Sequence, residues 1–592
     1  MMTNKIYNKV VAVGRLVRTI VFSFLFPLSS FLFISCSDFL EITPQEIIVL
    51  DKFWNEETDV ENMVAGCSSR MQREDVVSRM MVWGEFRSDN VIGGTGIENL
   101  THLSNVFKEN INASNSYTKW GALYNVINRC NTILYYAPQV AEKDPNYTQS
   151  ELKATEAEVS AIRDLMYFYL IRTFRDVPYV TQPYLDDTQV LDVPATPFEA
   201  VLDSLILDLE KVQDNAVRKY PTTKTYYQRG RITRDAIHAM LADMYLWKED
   251  YQNAIRYADM VIDAKTAEYQ EELDKMSGTV STQHQMIDGF PLISDAYITG
   301  NYYGNAYSEI FGSGNSRESI LELIYMNDNE MLANAAVSSY FGNSEVFPGS
   351  VRPADFICTD VNDEVFSIFL SKNDARYYEN LQPISGSRTL FGINKYSHNS
   401  VMVDLAKAEI QATYSGAWSR DYCHANWILY RLTDVMLIKA EALVELANDD
   451  AVMELQNETA SPQLLQAFAI VNAISKRSNC TSGSKDLDAT NYTTKALMRS
   501  LVLEERQREL MFEGKRWYDL VRRARRDGNT NYLVGAVSRK GSSGGGAISS
   551  KLSRMDAIYW PYNNDELKVN KNLVQNPAFG SGEDSSYERT YN

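Results

Sequence analysis

Histidine and cysteine are both scarce in this chain of 592 residues, and their spacing excludes most of the chemistry they usually serve. The five histidines, His102, His238, His284, His398 and His424, form no HExxH and no helical pair, so no zinc site of that kind is encoded. Beyond Cys36 the cysteines are Cys67, Cys130, Cys358, Cys423 and Cys480, an odd number without a CxxC, which predicts buried thiols in place of a disulfide scaffold or zinc ribbon. There is no GxSxG elbow. The glycine-rich run from Gly541 to Gly546 is followed by no Lys-Ser/Thr pair, so it reads as a flexible loop and fails as a phosphate cradle. Carboxylates are numerous, and counting alone does not eliminate a glycosidase pair, which is recognised by its separation in space. With every other catalytic constellation missing, the expectation is no enzyme, no metal and no cofactor. Positive charge is also in deficit, 58 Lys and Arg against 77 Asp and Glu for a net charge of −19, which argues against a nucleic-acid partner. After residue 34 no apolar run is long enough to cross a bilayer as a helix.

What the chain does have begins at its N-terminus. Lys5, Lys9, Arg15 and Arg18 stand ahead of any acid, and an apolar run from Ile20 to Ile34, broken by Pro27, leads into Ser35-Cys36. A charged segment, an apolar segment and a small residue before Cys make a lipoprotein signal over residues 1–35. Cleavage there would leave Cys36 to carry the acyl chains that hold the protein to a membrane, each buried methylene contributing about 0.8 kcal/mol.

The remainder, 36–592, reads as one mostly α-helical domain, and hydrophobic and aromatic fractions of 45% and 11% exclude disorder for its bulk. Apolar positions recur at helical spacing from Phe53 to Arg70, from Tyr117 to Leu134, from Ala154 to Phe174 and after Pro197. Between the first two, Glu85 to Asn90 runs into Gly93-Gly94 and predicts a polar loop. Over Thr233 to Ala264, Ala242 and Ala254 stand twelve residues apart, the interval between the two small residues at the tight crossing of a tetratricopeptide helix pair. A second, looser unit places Ala440 and Ala442 against Ala467 and Val471.

Helical periodicity lapses over 268–426, which divides the domain into an N-terminal part (36–267), a loop-rich insert and a C-terminal part (427–592). The insert is expected to contain a few short strands, of which Ile320 to Tyr325 is the one clear in the sequence, amid Gly, Asn, Ser and aromatic residues. Tyr302, Tyr303, Tyr414 and Trp418 lie beside such small or polar neighbours and are the candidate stacking surfaces for a ligand; Asp89 and Asn90 of the Gly93-Gly94 loop are secondary candidates. Flat aromatic faces flanked by amide and carboxylate groups suit a sugar ring, with its apolar C–H face and hydroxyl rim.

In the C-terminal part, Leu503 to Leu510 reads LEERQREL and Phe512 to Arg522 reads FEGKRWYDLVR. Physically these are amphipathic helices with Glu504 and Arg508 at a stabilising i, i+4 spacing. Their order resembles the signature of the SusD/RagB family of outer-membrane lipoproteins. Four further blocks are similar to that family: Cys36 to Glu41, Arg163 to Pro178, Tyr430 to Ala442, and Tyr559-Trp560-Pro561 with Glu566, Asn570 and Leu573 to Pro577. Asp164, Arg175 and Tyr562 depart from it, Arg175 where the family usually has Gly. The resemblance implies a scaffold of four tetratricopeptide-like helix pairs, display on the outer membrane, and delivery of a glycan or oligosaccharide to a SusC-like TonB-dependent transporter. A peptide ligand is the alternative, and a glycan-degrading enzyme a further one. The anchor is directly testable: Cys36→Ala should abolish both incorporation of labelled fatty acid and partition with membranes, and a native protein that takes up no label would refute it.

Overall fold

The computed structural model describes residues 53–580 except 187, 276–285, 295–301, 326–332, 359–367, 370, 372, 385–389, 398–399, 405–410, 416–422, 454–459, 481–484 and 541–544, with only the backbone of Tyr302, Ser400 and Ser415. Cys36 and Trp418 lie outside the described residues. Met1–Asn55 and Glu56–Asn592 form separate units, and the helical array with its insert belongs to the second.

Helix α1 (Glu57–Met71) is started by a reciprocal capping box between Glu56 and Asp59, and its buried stripe is Val60, Val64, Cys67 and Met71. It packs on α3 (Gly121–Lys143), while α2 (Glu74–Met81) runs between them in sequence and continues into a π-helical turn, Val82–Phe86. The next helix, α4 (Gln149–Phe174), opens with a Thr148–Glu151 capping box, and every residue from Ala157 to Phe174 is buried. That all-round burial makes it a central rod and not a surface helix.

Beyond α4, each helix packs on its successor: α5 (Phe198–Val212), α6 (Arg234–Trp247), α7 (Tyr251–Lys275), α8 (Leu432–Leu446), α9 (Pro462–Ser478) and α10 (Lys495–Leu510). The pairs α1/α3, α4/α5, α6/α7 and α8/α9 are the four units of the array. Ala242 and Ala254 are fully buried in α6 and α7, as Ala440, Ala442 and Ala467 are in α8 and α9. Small residues at such crossings let backbones approach closely. Because α7 extends to Lys275, the insert starts later than the loss of sequence periodicity at 268 suggests.

The expected strand is β5 (Ser319–Leu323), antiparallel to β11 (Trp427–Arg431). The insert contains more strands than sequence alone discloses: β4 (Tyr302–Tyr303), β9 (Ser400–Asp404) and β10 (Gln411–Ser415) form one sheet in the order β10-β9-β4, and β7 (Leu381–Pro383) pairs with β8 (Phe391–Ile393). Strand β6 (Val351–Pro353) reaches back to β1 (Val91–Gly93), and β2 (Val177–Pro178) pairs with β3 (Ala195–Thr196). At α4's end Arg175 has φ +71, a conformation glycine adopts without strain, which accounts physically for the glycine of the resembled pattern.

The charged run of α10 lies inside. Only Glu504 keeps substantial exposure, 48% of its side chain, and its contact with Arg508 is long at 3.8 Å. Glu505, Arg506, Gln507, Arg508 and Glu509 are buried. Glu509 accepts hydrogen bonds from Arg431 of β11 (2.6 Å), from Arg376 of the insert (3.0 Å) and from Arg477 of α9. Glu513 accepts from Arg431 at 2.8 Å and from Lys395 of the insert at 2.7 Å. On the other side, Arg506 bridges Asp434 of α8 (3.1 Å) and Asp519 (3.0 Å) of α11 (Arg516–Asp527), and Arg522 and Arg526 of α11 reach Glu441 of α8.

Burial alone would raise the pKa of Glu509, but Arg477, Arg431 and Arg376 outweigh it and hold the carboxyl well below its ordinary range. Burial likewise opposes ionisation of Glu441, and Arg522 with Arg526 brings it down to about 2. Carboxyls depressed in the folded state contribute stability that is complete above the unfolded value, 4.5 for Glu, and is lost as pH falls through the folded value. The protein should therefore lose thermal stability progressively between about pH 4.5 and pH 2. An unfolding midpoint that stays flat across that interval would contradict this account.

Candidate functional site

Asp89 and Asn90, expected at an exposed loop, are both fully buried. Asp89 accepts from Arg516 Nε at 2.8 Å and Nη2 at 3.0 Å, and from Arg539 at 2.7 Å. Burial would push its carboxyl up, yet Arg516 and Arg539 hold it well below the usual range. Asn90 donates to Glu85 at 2.7 Å and accepts from Gln507 at 2.8 Å. The polar run turns inward because it supplies the counter-charges of α10 and α11, which corrects the ligand role expected for both residues. Glu85 accepts backbone N–H groups of Phe512 (3.0 Å) and Lys515 (3.2 Å), and burial pushes its pKa up to about 7 despite them. The two backbones meet so closely that a Cβ on Gly84 would stand 1.9 Å from the Gly514 carbonyl oxygen.

The tyrosines of the insert do come together. The register of the β10-β9-β4 sheet places Tyr302 opposite Asp404, Tyr303 opposite Val403 and Tyr414 opposite Val401. Tyr303 is 8% exposed; the Lys485 ammonium donates to its hydroxyl and lies 4.7 Å from the ring centroid. Tyr414 is half-buried, and its hydroxyl donates toward the carbonyl oxygens of Tyr378 (3.0 Å) and Leu381 (2.9 Å). These two rings fasten the sheet to its surroundings. Their expected role as free stacking surfaces is corrected accordingly, since Val401 and Val403, the partners across the sheet, are buried on the same face.

Aromatic surface lines open space elsewhere. A groove of about 260 Å³ runs between α3, the segment 178–193 and the segment 566–573, with the half-buried Tyr124 and Tyr184 along it and Trp120, 4% exposed, packed behind Tyr124. Asn128 of α3 pins the middle segment: its amide donates to the Tyr184 carbonyl at 3.0 Å and accepts the Tyr184 N–H at 2.7 Å. Asn570 donates to the Val193 carbonyl at 2.6 Å and holds the third segment against the second. Tyr124 donates to the Pro178 carbonyl at 2.7 Å, leaving its oxygen able to accept. Leu191 and Val569, 55% and 63% exposed, form an apolar rim. Glu566 at the floor has its pKa raised by burial.

Such a groove offers flat apolar walls and oxygen acceptors, the chemistry that holds a sugar ring, and its lining has one carboxylate, Glu566. Among the described residues no group of three or more His, Cys, Asp or Glu could hold a metal ion, and no helix is long and apolar enough to cross a membrane. Sequence periodicity reads Trp120 and Tyr124 as part of an inward stripe. Trp120 is indeed buried, whereas Tyr124 is half-buried and borders the groove through the 178–193 segment, which carries no signal of its own.

Residues 300–579 match the model of the SusD family, and residues 38–246 match the model described as starch-binding associating with outer membrane. SusD-like protein P38 of Formosa agariphila is 24% identical over 574 residues, covering 95% of this chain and 99% of the relative. Among solved structures, a laminarin binding SusD-like protein superposes with a TM-score of 0.58 at 19% identity, over 89% of this chain and 100% of its own. Surface glycan-binding protein A from Bacteroides uniformis does so with a TM-score of 0.61 at 18% identity, over 88% and 99%. The four helix pairs and the loop-rich insert thus share the mostly α-helical fold of these SusD-like structures. The chain belongs to the SusD/RagB family.

Proposed function

We propose that this protein is a lipoprotein of the outer membrane, displayed at the cell surface through Cys36, that binds a glycan without cleaving it and passes it to a SusC-like TonB-dependent transporter. The reading rests on the family match across both parts of the chain. The glycan-binding names of two structural neighbours support the ligand class. The groove beside Tyr124 and Tyr184 is the proposed stacking surface, with Trp120 packed beneath it, and positions 302 and 418 of the insert are proposed as further contacts. Affinity is modest in this scheme, because a ligand that is handed on must dissociate readily.

Calorimetric titration of the soluble protein, starting at Ser37, with β-glucan oligosaccharides, a wider glycan panel and a peptide panel tests the reading. One aromatic stacking contact contributes about 1 kcal/mol, so Tyr184→Ala should weaken glycan binding about fivefold with the unfolding midpoint retained. Loss in Trp418→Ala or Tyr302→Ala with Tyr184→Ala silent would move the site to the insert. Binding confined to peptides, or breakdown products appearing in the glycan mixtures, would overturn the proposal.

A further inference from the structure

The largest groove among those described lies away from the aromatic one, between α6, α7 and the segment 213–219, and its volume is about 640 Å³. Its lining carries four cations, Arg218, Lys219, Arg234 and Arg256, against four carboxylates, Asp214, Asp235, Glu268 and Glu271, in a chain that is acidic overall. Arg218 and Arg256 project into it from the segment and from α7, both exposed, and neither has a carboxylate within ion-pair distance among the described residues. Arg234 of α6 completes the set. Its Nη2 donates to the Asp214 backbone carbonyl and its Nη1 lies 3.4 Å from the Asp214 carboxylate, a side chain that is 87% exposed, while its Nε is buried with no hydrogen-bond partner.

One turn further along α6, His238 is 9% exposed, lines the same groove, and its Nδ1 is buried without a partner. The carboxylates of the groove are mostly committed: Glu271 to Lys219 at 2.8 Å, and Glu268 to Arg229 (2.7 Å) and Lys265 (3.3 Å) behind it. Asp214 and Asp235 remain, and burial raises the pKa of Asp235. Burial first, and then the guanidiniums of Arg234, Arg256 and Arg218 against the opposing carboxylate of Asp214, bring His238 down to about 4. The imidazole is therefore neutral at ordinary pH and can accept or donate a hydrogen bond.

We propose that this groove is a second binding site, selective for an oxyanion group, a carboxylate or sulfate, held by Arg218, Arg234 and Arg256 with His238 as a neutral hydrogen-bonding partner. Guanidinium forks match the paired oxygens of such groups, and hydrogen bonds to charged partners are the stronger class. Where the oxyanion is carried on a saccharide, the site extends the glycan reading and rests on it; a free anion would use the same contacts.

The test uses the soluble protein from Ser37 titrated with oligogalacturonate, a sulfated oligosaccharide, inorganic sulfate and a neutral β-glucan oligosaccharide, each at low and high salt. Arg256→Gln and Arg218→Gln remove exposed side chains without carboxylate partners, so both should fold as the native protein does. Each should weaken binding of the acidic probes about tenfold or more, and high salt should weaken it further, while the neutral saccharide is unaffected. The His238 ring protons, followed by NMR, should titrate at a higher pH when the anion is bound. Acidic saccharides binding where inorganic sulfate does not identifies a saccharide-borne group, and sulfate binding that is lost in Arg256→Gln identifies a free anion; both support the site. Acidic probes that bind both variants as tightly as the native protein, or no acidic probe binding while the neutral saccharide binds, would overturn it and leave the glycan reading standing.

Discussion

One carboxylate, Glu509, answers three guanidiniums that arrive from three parts of the chain: Arg376 from the insert, Arg431 from the strand before α8, and Arg477 from α9. Each of these side chains is nearly or fully buried, so none can recover its solvation from water if the carboxylate is lost. A buried ion pair adds little by existing, because desolvation offsets much of the attraction. Removing one partner is different and costs about 3 to 5 kcal/mol where the other charge is stranded. Here Arg376, Arg431 and Arg477 each keep a second carboxylate, Glu505, Glu513 and Glu318, so the loss of Glu509 loosens the junction without leaving any of them alone. Four charges meeting at one point favour insert, strand and helix being in place together.

The remaining buried charges extend the same logic outward. Glu513 ties Lys395 of the insert to Arg431, and Lys395 also donates to the carbonyls of Glu509 (3.0 Å) and Met511 (3.1 Å). Asp89 closes the N-terminal side through Arg516, and Glu85 caps the backbone between Phe512 and Arg516. The family signature is therefore a lock between the helical array and the loops laid on it. The two grooves proposed as binding surfaces, at α3 and at α6 and α7, are lined by none of the residues of this lock.

Legibility in the sequence depends on how far apart the partners lie in the chain. The helices show because a 3.6-residue period repeats several times within each, and Ala242 with Ala254 marks a crossing within a single helix pair. Strands of two to five residues carry too few alternations to register, so β4, β9 and β10 escape a sequence reading while the apolar run of β5 does not. Asp89 and Asn90 mislead for a different reason. A polar residue beside glycine reads as exposed unless its counter-charge is known, and the partners here, Arg516 and Gln507, are 427 and 417 residues away. Tyr303 and Tyr414 mislead likewise, because what buries them is a sheet assembled from distant segments. The aromatic groove is built from three stretches of chain, and periodicity within one of them correctly reports a core-facing helix without disclosing its open edge. The SusD/RagB resemblance is legible because it rests on the order of blocks and not on any contact.

The claim on which the rest depends is that Glu509 fastens the insert to the helical array, and backbone hydrogen exchange in Glu509→Gln against the native protein tests it most directly. The lock predicts faster exchange in the Ala375–Asn380 helix, in β7 and β8 and in β11, with α3, α4 and α5 unchanged. Exchange in those insert segments that matches the native protein, or a loss of protection spread evenly over all helices, would contradict it.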